Sequence, residues 1–164
     1  MLDKTKKFAI SEHANCNHMY DGKPYATHLQ MVADVAERFL YLIPEAKRET
    51  VLCGCWVHDL IEDARQTYND VKKETNEEIA ELAYALTNEK GKNRKERAND
   101  KYYQGIRETP FASFIKMCDR IANFEYSKKS RSRMTEVYKK ENAEFISKIY
   151  VEGLDDMVDY LKHL

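Results

Sequence analysis

The stretch Val51-Leu52-Cys53-Gly54-Cys55-Trp56-Val57-His58-Asp59-Leu60-Ile61-Glu62-Asp63 decides how this chain is read. From Val51 to Val57 it is apolar on nearly every side, so the segment predicts a helix buried at the centre of its domain. A His and an Asp then stand together at the end of that helix. An unpaired charge is costly in such a place, and a bound cation would remove the cost. Helical spacing sets Glu62 one turn after His58 and Asp63 one turn after Asp59. The four side chains then form two stacked pairs, one able to hold metal and one able to face a substrate. The plain alternative is a helix end with solvated charges, which places acids against the negative pole of the helix.

Working outward, helical periodicity runs through almost the whole chain. The first helix is expected over residues 3–19 and ends in the breaker run Tyr20-Asp21-Gly22-Lys23-Pro24. A second is expected over 25–42, with Leu29, Val32, Val35, Ala36 and Phe39 on one face, and the central one over 45–61. Thr67 with Asp70 marks a short helix. Thr75-Asn76-Glu77-Glu78 reads as a capping box with Thr75 at the cap, opening a helix to Leu86. Gly91 marks a loop, and a helix resumes by Arg94. Thr109-Pro110 opens the next, with Pro at its first helical position. Two more are expected over 134–151 and 154–162. No stretch alternates as a strand would, and there is no internal repeat or linker. The expected fold is all-α, a single domain over residues 1–164 with about seven to nine helices.

Composition agrees. The 164 residues suit one domain with a sizeable core. Five Gly and three Pro are too few for a turn-rich β fold. With 27 basic against 28 acidic residues, no global field favours nucleic acid as a partner. No apolar run is long enough for a signal peptide or a membrane span, so the expected location is cytoplasmic. The four cysteines then read as free thiols, and Cys53 and Cys55 lack a zinc-binding spacing. Cys53, Cys55 and Trp56 read as buried core. Of His13, Cys16 and His18, only His13 and Cys16 share a helical face, and no second ligand pair follows them.

Two distant segments supply what the His-Asp pair lacks. Tyr25-Ala26-Thr27-His28 sets a histidine on the first turn of the second helix. Ile115-Lys116-Met117-Cys118-Asp119-Arg120-Ile121-Ala122-Asn123 sets an aspartate inside an otherwise apolar helix. A buried Asp needs a cationic partner, and Arg120 is the simple candidate.

The three segments together resemble the HD superfamily of metal-dependent phosphohydrolases. The match is closest to the branch that hydrolyses the alarmones ppGpp and pppGpp, the hydrolase domains of the RelA/SpoT group and their small stand-alone relatives. That branch shows Gly-x-Pro-Tyr-x-x-His, His-Asp-x-x-Glu-Asp and Asp-Arg-x-x-Asn. This chain has Gly22 to His28, His58 to Asp63 and Asp119 to Asn123 in the same order. The resemblance implies an HD helical bundle in which His28, His58, Asp59 and Asp119 are metal ligands. It makes Glu62 and Asp63 the catalytic carboxylates and Asn123 a substrate contact. It also implies one divalent transition metal, usually Mn²⁺, with Fe, Co, Ni or Zn as substitutes. Two imidazoles and two carboxylates suit that choice, since they leave octahedral positions open for water and substrate.

The substrate implied is a small nucleotide. In the alarmone hydrolases an Arg-Lys pair precedes the first segment; here Met19-Tyr20 stands in its place. Lys23 is the nearest cation, and Tyr20 is able to stack on a base. Tyr25, Arg120 and Tyr138 complete the expected substrate contacts, Tyr138 by matching a family Tyr near the nucleoside. Lys116, Lys128, Lys129, Arg131 and Arg133 are further available cations, and Arg94-Lys95-Arg97 reads either as a solvated face or as a mobile rim. Loss of the Arg-Lys pair leaves a second reading, a nucleoside 5'-monophosphatase or other small phosphoesterase. A third is a silent HD module that binds a nucleotide without turnover.

Overall fold

The computed structural model describes all 164 residues, Met1–Leu164. Nine helices of seven residues or more carry the fold: α1 (Leu2–Asn15), α2 (Ala26–Arg38), α3 (Arg48–Val57), α5 (Tyr68–Glu74), α6 (Glu77–Ala85), α8 (Asp100–Glu108), α9 (Ala112–Lys129), α10 (Met134–Ile149) and α11 (Asp155–Lys162). Two single turns, α4 (Leu60–Asp63) and α7 (Arg94–Arg97), complete the order. The fold is all-helical, as the periodicity predicts.

The apolar run of α3 lies at the centre. Val51 to Val57 are all buried, and α3 packs against α1, α2, α6 and α9. Gly54 permits the closest of these approaches. A Cβ there would stand 2.5 Å from Ile115 Cδ1 and 2.9 Å from Leu82 Cδ1. Helix α2 turns Leu29, Val32, Ala33, Val35 and Ala36 inward onto α3 and α9. Helix α9 is buried along most of its length and is covered by α10 on its other side. The resulting core is a contiguous cluster of 39 buried apolar residues. Trp56 belongs to it, with the Lys6 ammonium 5.4 Å above its ring. Cys53, Cys55 and Cys118 are buried free thiols.

Several boundaries differ from the periodicity reading, each for a local reason. Helix α1 stops at Asn15. Residues Met19–Tyr20 (β1) and Lys23–Pro24 (β2) then pair as a minimal antiparallel hairpin, Met19 opposite Pro24 and Tyr20 opposite Lys23. Asp21 and Gly22, with φ of 49° and 75°, make the tight turn whose twist suits such a ladder. The segment was too short to alternate visibly. Helix α2 ends at Arg38 and passes into a 3-10 turn, Leu40–Leu42. The expected helix over 45–61 is a 3-10 turn (Glu45–Lys47), α3, and the separate turn α4. The break falls at Asp59, whose φ of −107° and ψ of 4° leave the helical region.

The reciprocal capping box belongs to α5, where Thr67 and Asp70 satisfy each other's backbone amides. It does not belong to Thr75. Two cap-forming residues are adjacent there, and Asn76 takes the role by accepting from the Ile79 amide. Pro110 precedes α9 by two residues, and Phe111 at the cap adopts a left-handed φ of 70°. No helix is long and apolar enough to cross a membrane.

Candidate active site

Three parts of the fold bring the ligand-type side chains to one corner. His28 sits on the first turn of α2, His58 and Asp59 at the α3–α4 break, and Asp119 midway along α9. His28 Nε2 lies 3.0 Å from Asp119 Oδ1 and 3.9 Å from Asp59 Oδ2. His58 Nε2 lies 3.0 Å from Asp59 Oδ2 and 3.6 Å from Asp119 Oδ1. All four residues are buried, with 1% to 9% exposure. Residues as far apart in sequence as His28 and Asp119 thus aim one atom each at a shared point.

The hydrogen bonding of His58 says what that point can accept. Its Nδ1 lies 2.6 Å from the Cys55 carbonyl, so this nitrogen carries the proton and donates. Nε2 is then a lone pair turned toward two carboxylates, buried and without a hydrogen-bond partner. Such an arrangement repels unless a cation, either a second proton or a metal ion, lies between them. With the protein alone, burial opposes the charged ring, but Asp59 and Asp119 pull the His58 pKa well above its ordinary value. Burial likewise opposes the two carboxylates. Even so, His58 holds Asp59 below the usual range, and Lys116 with the two imidazoles holds Asp119 below it. His28, His58 and Asp119 form one cluster able to hold an ion, with Asp59 against it. Nitrogen and oxygen donors with supporting hydrogen bonds fit a divalent transition metal.

Supporting contacts fix the donors. The Tyr25 hydroxyl donates to Asp59 Oδ2. Asn123 Nδ2 donates to Asp119 Oδ1 at 3.0 Å, and Lys116 Nζ donates to Asp119 Oδ2 at 3.1 Å. The partner cation of Asp119 is therefore Lys116, not Arg120. The Arg120 guanidinium turns the other way, to Glu141 (3.1 Å), the Tyr138 carbonyl (2.9 Å) and Asn142, and stacks between Tyr138 and Phe145.

The second carboxylate pair stands where the turn geometry puts it. Oxygens of Asp59, Glu62 and Asp63 lie within 4.8 Å of one another. Glu62 accepts from the Asn88 amide at 2.8 Å. Glu62 and Asp63 keep an open face. Partial loss of hydration and the Asp59 charge raise both pKa values, that of Asp63 to about 7.

A cavity of about 410 Å³ opens beside Asp119. Asn123, Arg120 and Tyr138 line it, as do Asn88, Tyr102, Tyr103, Phe145, Lys116 and Lys148. Arg94, Lys95 and Arg97 of α7 form part of its wall. Of the other expected substrate contacts, Tyr20 stacks on His28 with ring centres 4.7 Å apart and donates to Asn123 Oδ1 at 2.7 Å. Tyr25 lies behind Asp59, packed against His13 and His18. Lys23 is exposed, 5.5 Å from the Tyr126 ring. Asn88 and Tyr102 are additions that no motif marked, since only the folded chain brings them here. Lys116 ranked among the general cations, although its position one turn before Asp119 already put the two on one face.

No family model matches the chain, and no curated protein matches its sequence. Among solved structures, one of a metazoan orthologue of SpoT, described as hydrolysing ppGpp and acting in starvation responses, is similar with a TM-score of 0.75. The match spans 99% of this chain and 93% of that one, at 17% identity. Across that span, this chain shares the helical fold of that structure.

Proposed function

We propose that this protein is a metal-dependent phosphohydrolase acting on a small nucleotide, with a ppGpp-like pyrophosphorylated guanosine as the preferred class. One observation carries the reading: two buried imidazoles and two buried carboxylates converge beside a cavity walled by cations and aromatic rings. The fold shared with a ppGpp-hydrolysing protein supports it. His28, His58, Asp59 and Asp119 are the residues that would hold the ion, with Mn²⁺ the ion that the resemblance implies and the donor set accommodates. When bound, such an ion supplies a Lewis acid and lowers the pKa of water.

The chain's own groups account for the rest. Glu62 and Asp63 sit at the lip of the ligand corner and accept the proton of the attacking water. The raised pKa of each makes it the better base near neutrality. The Asn88 amide holds Glu62 in place. Negative charge that grows on the phosphoryl oxygens meets the cavity cations. Tyr138 lines the cavity where a base would lie, while Arg120, stacked on that ring, stiffens the wall through Glu141.

The test is a nucleotide panel with Mn²⁺, scored for pyrophosphate against orthophosphate. Release of pyrophosphate from a 3'-pyrophosphorylated guanosine is the expected result. Orthophosphate from nucleoside monophosphates, with pyrophosphorylated nucleotides untouched, would replace this reading with a monophosphatase.

A further inference from the structure

Lys116 occupies an unusual position for a lysine. Its side chain is only 24% exposed, and its ammonium contacts a proposed ligand. The two Asp119 oxygens are divided between partners. Oδ1 faces His28 and His58, and Oδ2 takes the Lys116 hydrogen bond at 3.1 Å. One N–H is used on Asp119, and an ammonium carries three. Lys116 also lines the cavity, so part of the group is open to whatever enters.

Tyr102 lies on the same wall. The Lys116 ammonium is 5.9 Å from its ring centre. Tyr102 is 4% exposed, and its hydroxyl has no hydrogen-bond partner. A buried hydroxyl left unpaired forfeits a hydrogen bond that water would have given it, and such groups in folded proteins mark a missing partner. The other cavity cations are differently placed. Arg94 and Arg120 are both committed to Glu141, and Lys148 to Glu144, while Lys95 and Arg97 stand on the exposed turn α7, away from the ligand corner. Lys116 is thus the cation that joins the ligand corner to the cavity.

We propose that Lys116 and Tyr102 form a two-donor subsite for a tetrahedral oxyanion, the phosphoryl group under attack, seated against the ion-binding corner. The ammonium supplies charge and one or two hydrogen bonds to phosphoryl oxygens, and the phenol supplies another. Neither group changes its covalent state. Lys116 also keeps Asp119 Oδ2 occupied, which leaves Oδ1 as the oxygen presented to the cation. The proposal rests on the phosphohydrolase reading for its role in turnover, but the anion subsite itself does not require that reading.

The experiment titrates inorganic phosphate into the full-length protein, Mn²⁺-loaded and metal-free, following heat and ³¹P line width. Tyr102→Phe removes one oxygen atom and should weaken phosphate about ten-fold, with melting temperature and bound Mn²⁺ unchanged. Lys116→Met should weaken it at least about thirty-fold, and Lys116→Arg should restore most of the loss. Wild-type phosphate affinity in both Tyr102→Phe and Lys116→Met would overturn the subsite. So would wild-type protein that binds no phosphate in either state. If Lys116→Met sheds metal or fails to fold, Tyr102→Phe decides alone. Should the wild type take up no metal, the phosphohydrolase reading falls. Phosphate binding by the metal-free protein that Tyr102→Phe weakens would still uphold the subsite.

Discussion

His28, His58, Asp59 and Asp119 come from distant parts of the chain and are held by core helices. Arg94, Lys95 and Arg97 come from one turn of helix, fastened by the Asn93 cap and the ion pair from Arg94 to Glu141. Asp119 of the first group and all three residues of the second border one cavity. The first cannot move without moving α2, α3 or α9. The second is exposed and tied down by interactions worth about 1 kcal/mol or less each. On the proposed function, ion binding would be tied to the fold itself, while contact with the outer part of a substrate would fall to a segment that can change at little cost to stability.

The comparison breaks most sharply at Asp59. Asp59→Ala should reduce bound metal from about one ion per chain to a small fraction and cut turnover by about 10³-fold or more. Metal analysis after gel filtration checks this, and retained stoichiometric metal would undo the ligand assignment. Glu62→Ala should leave metal content unchanged while lowering kcat by roughly 10²-fold to 10³-fold. An unaltered kcat would remove Glu62 from proton transfer.

Arg120→Met tests whether this buried cation is a strut for the wall. It leaves Glu141 with Arg94 alone and should cost about 2–3 kcal/mol in denaturant unfolding. A change in KM without loss of stability would make Arg120 a substrate contact. Arg94→Ala should raise KM several-fold and alter stability by less than about 1 kcal/mol. A large loss of stability would mean that the rim is part of the core after all.

The smallest effect concerns acid. Partial burial opposes the Glu141 charge, but Arg94 and Arg120 hold its carboxyl below the ordinary 4.5. A depressed carboxylate stabilises the fold fully above that value and less as pH falls through the folded pKa. The wild type should therefore lose more melting temperature below pH 4.5 than Glu141→Gln does.

Sequence made the ligand corner legible because each donor sits in a short local pattern with a chemical oddity. His58-Asp59 follows an apolar helix, and Asp119 interrupts another. The all-helical fold was equally plain from periodicity and the shortage of Gly and Pro. What stayed hidden depends on tertiary placement. Asn88 reaches Glu62 by a backbone amide, which no residue type announces. Tyr102 looks like any aromatic on a helix until α8 packs beside α9. The direction of Arg120 was misread because adjacency to Asp119 suggested a pair. Successive helix positions point about 100° apart, and Lys116, three positions earlier, shares the Asp119 face.

The hydrogen bond from His58 Nδ1 to the Cys55 carbonyl also satisfies one of the main-chain acceptors that the end of α3 leaves open. The imidazole is aimed by an atom that no side-chain exchange can remove. Redesign of the donor set toward a softer ion should accordingly begin at position 28. The ring there has an unpartnered Nδ1, so a thiolate could replace it without unpicking the helix terminus. At position 58 the same exchange would have to rebuild the end of the helix as well as the donor.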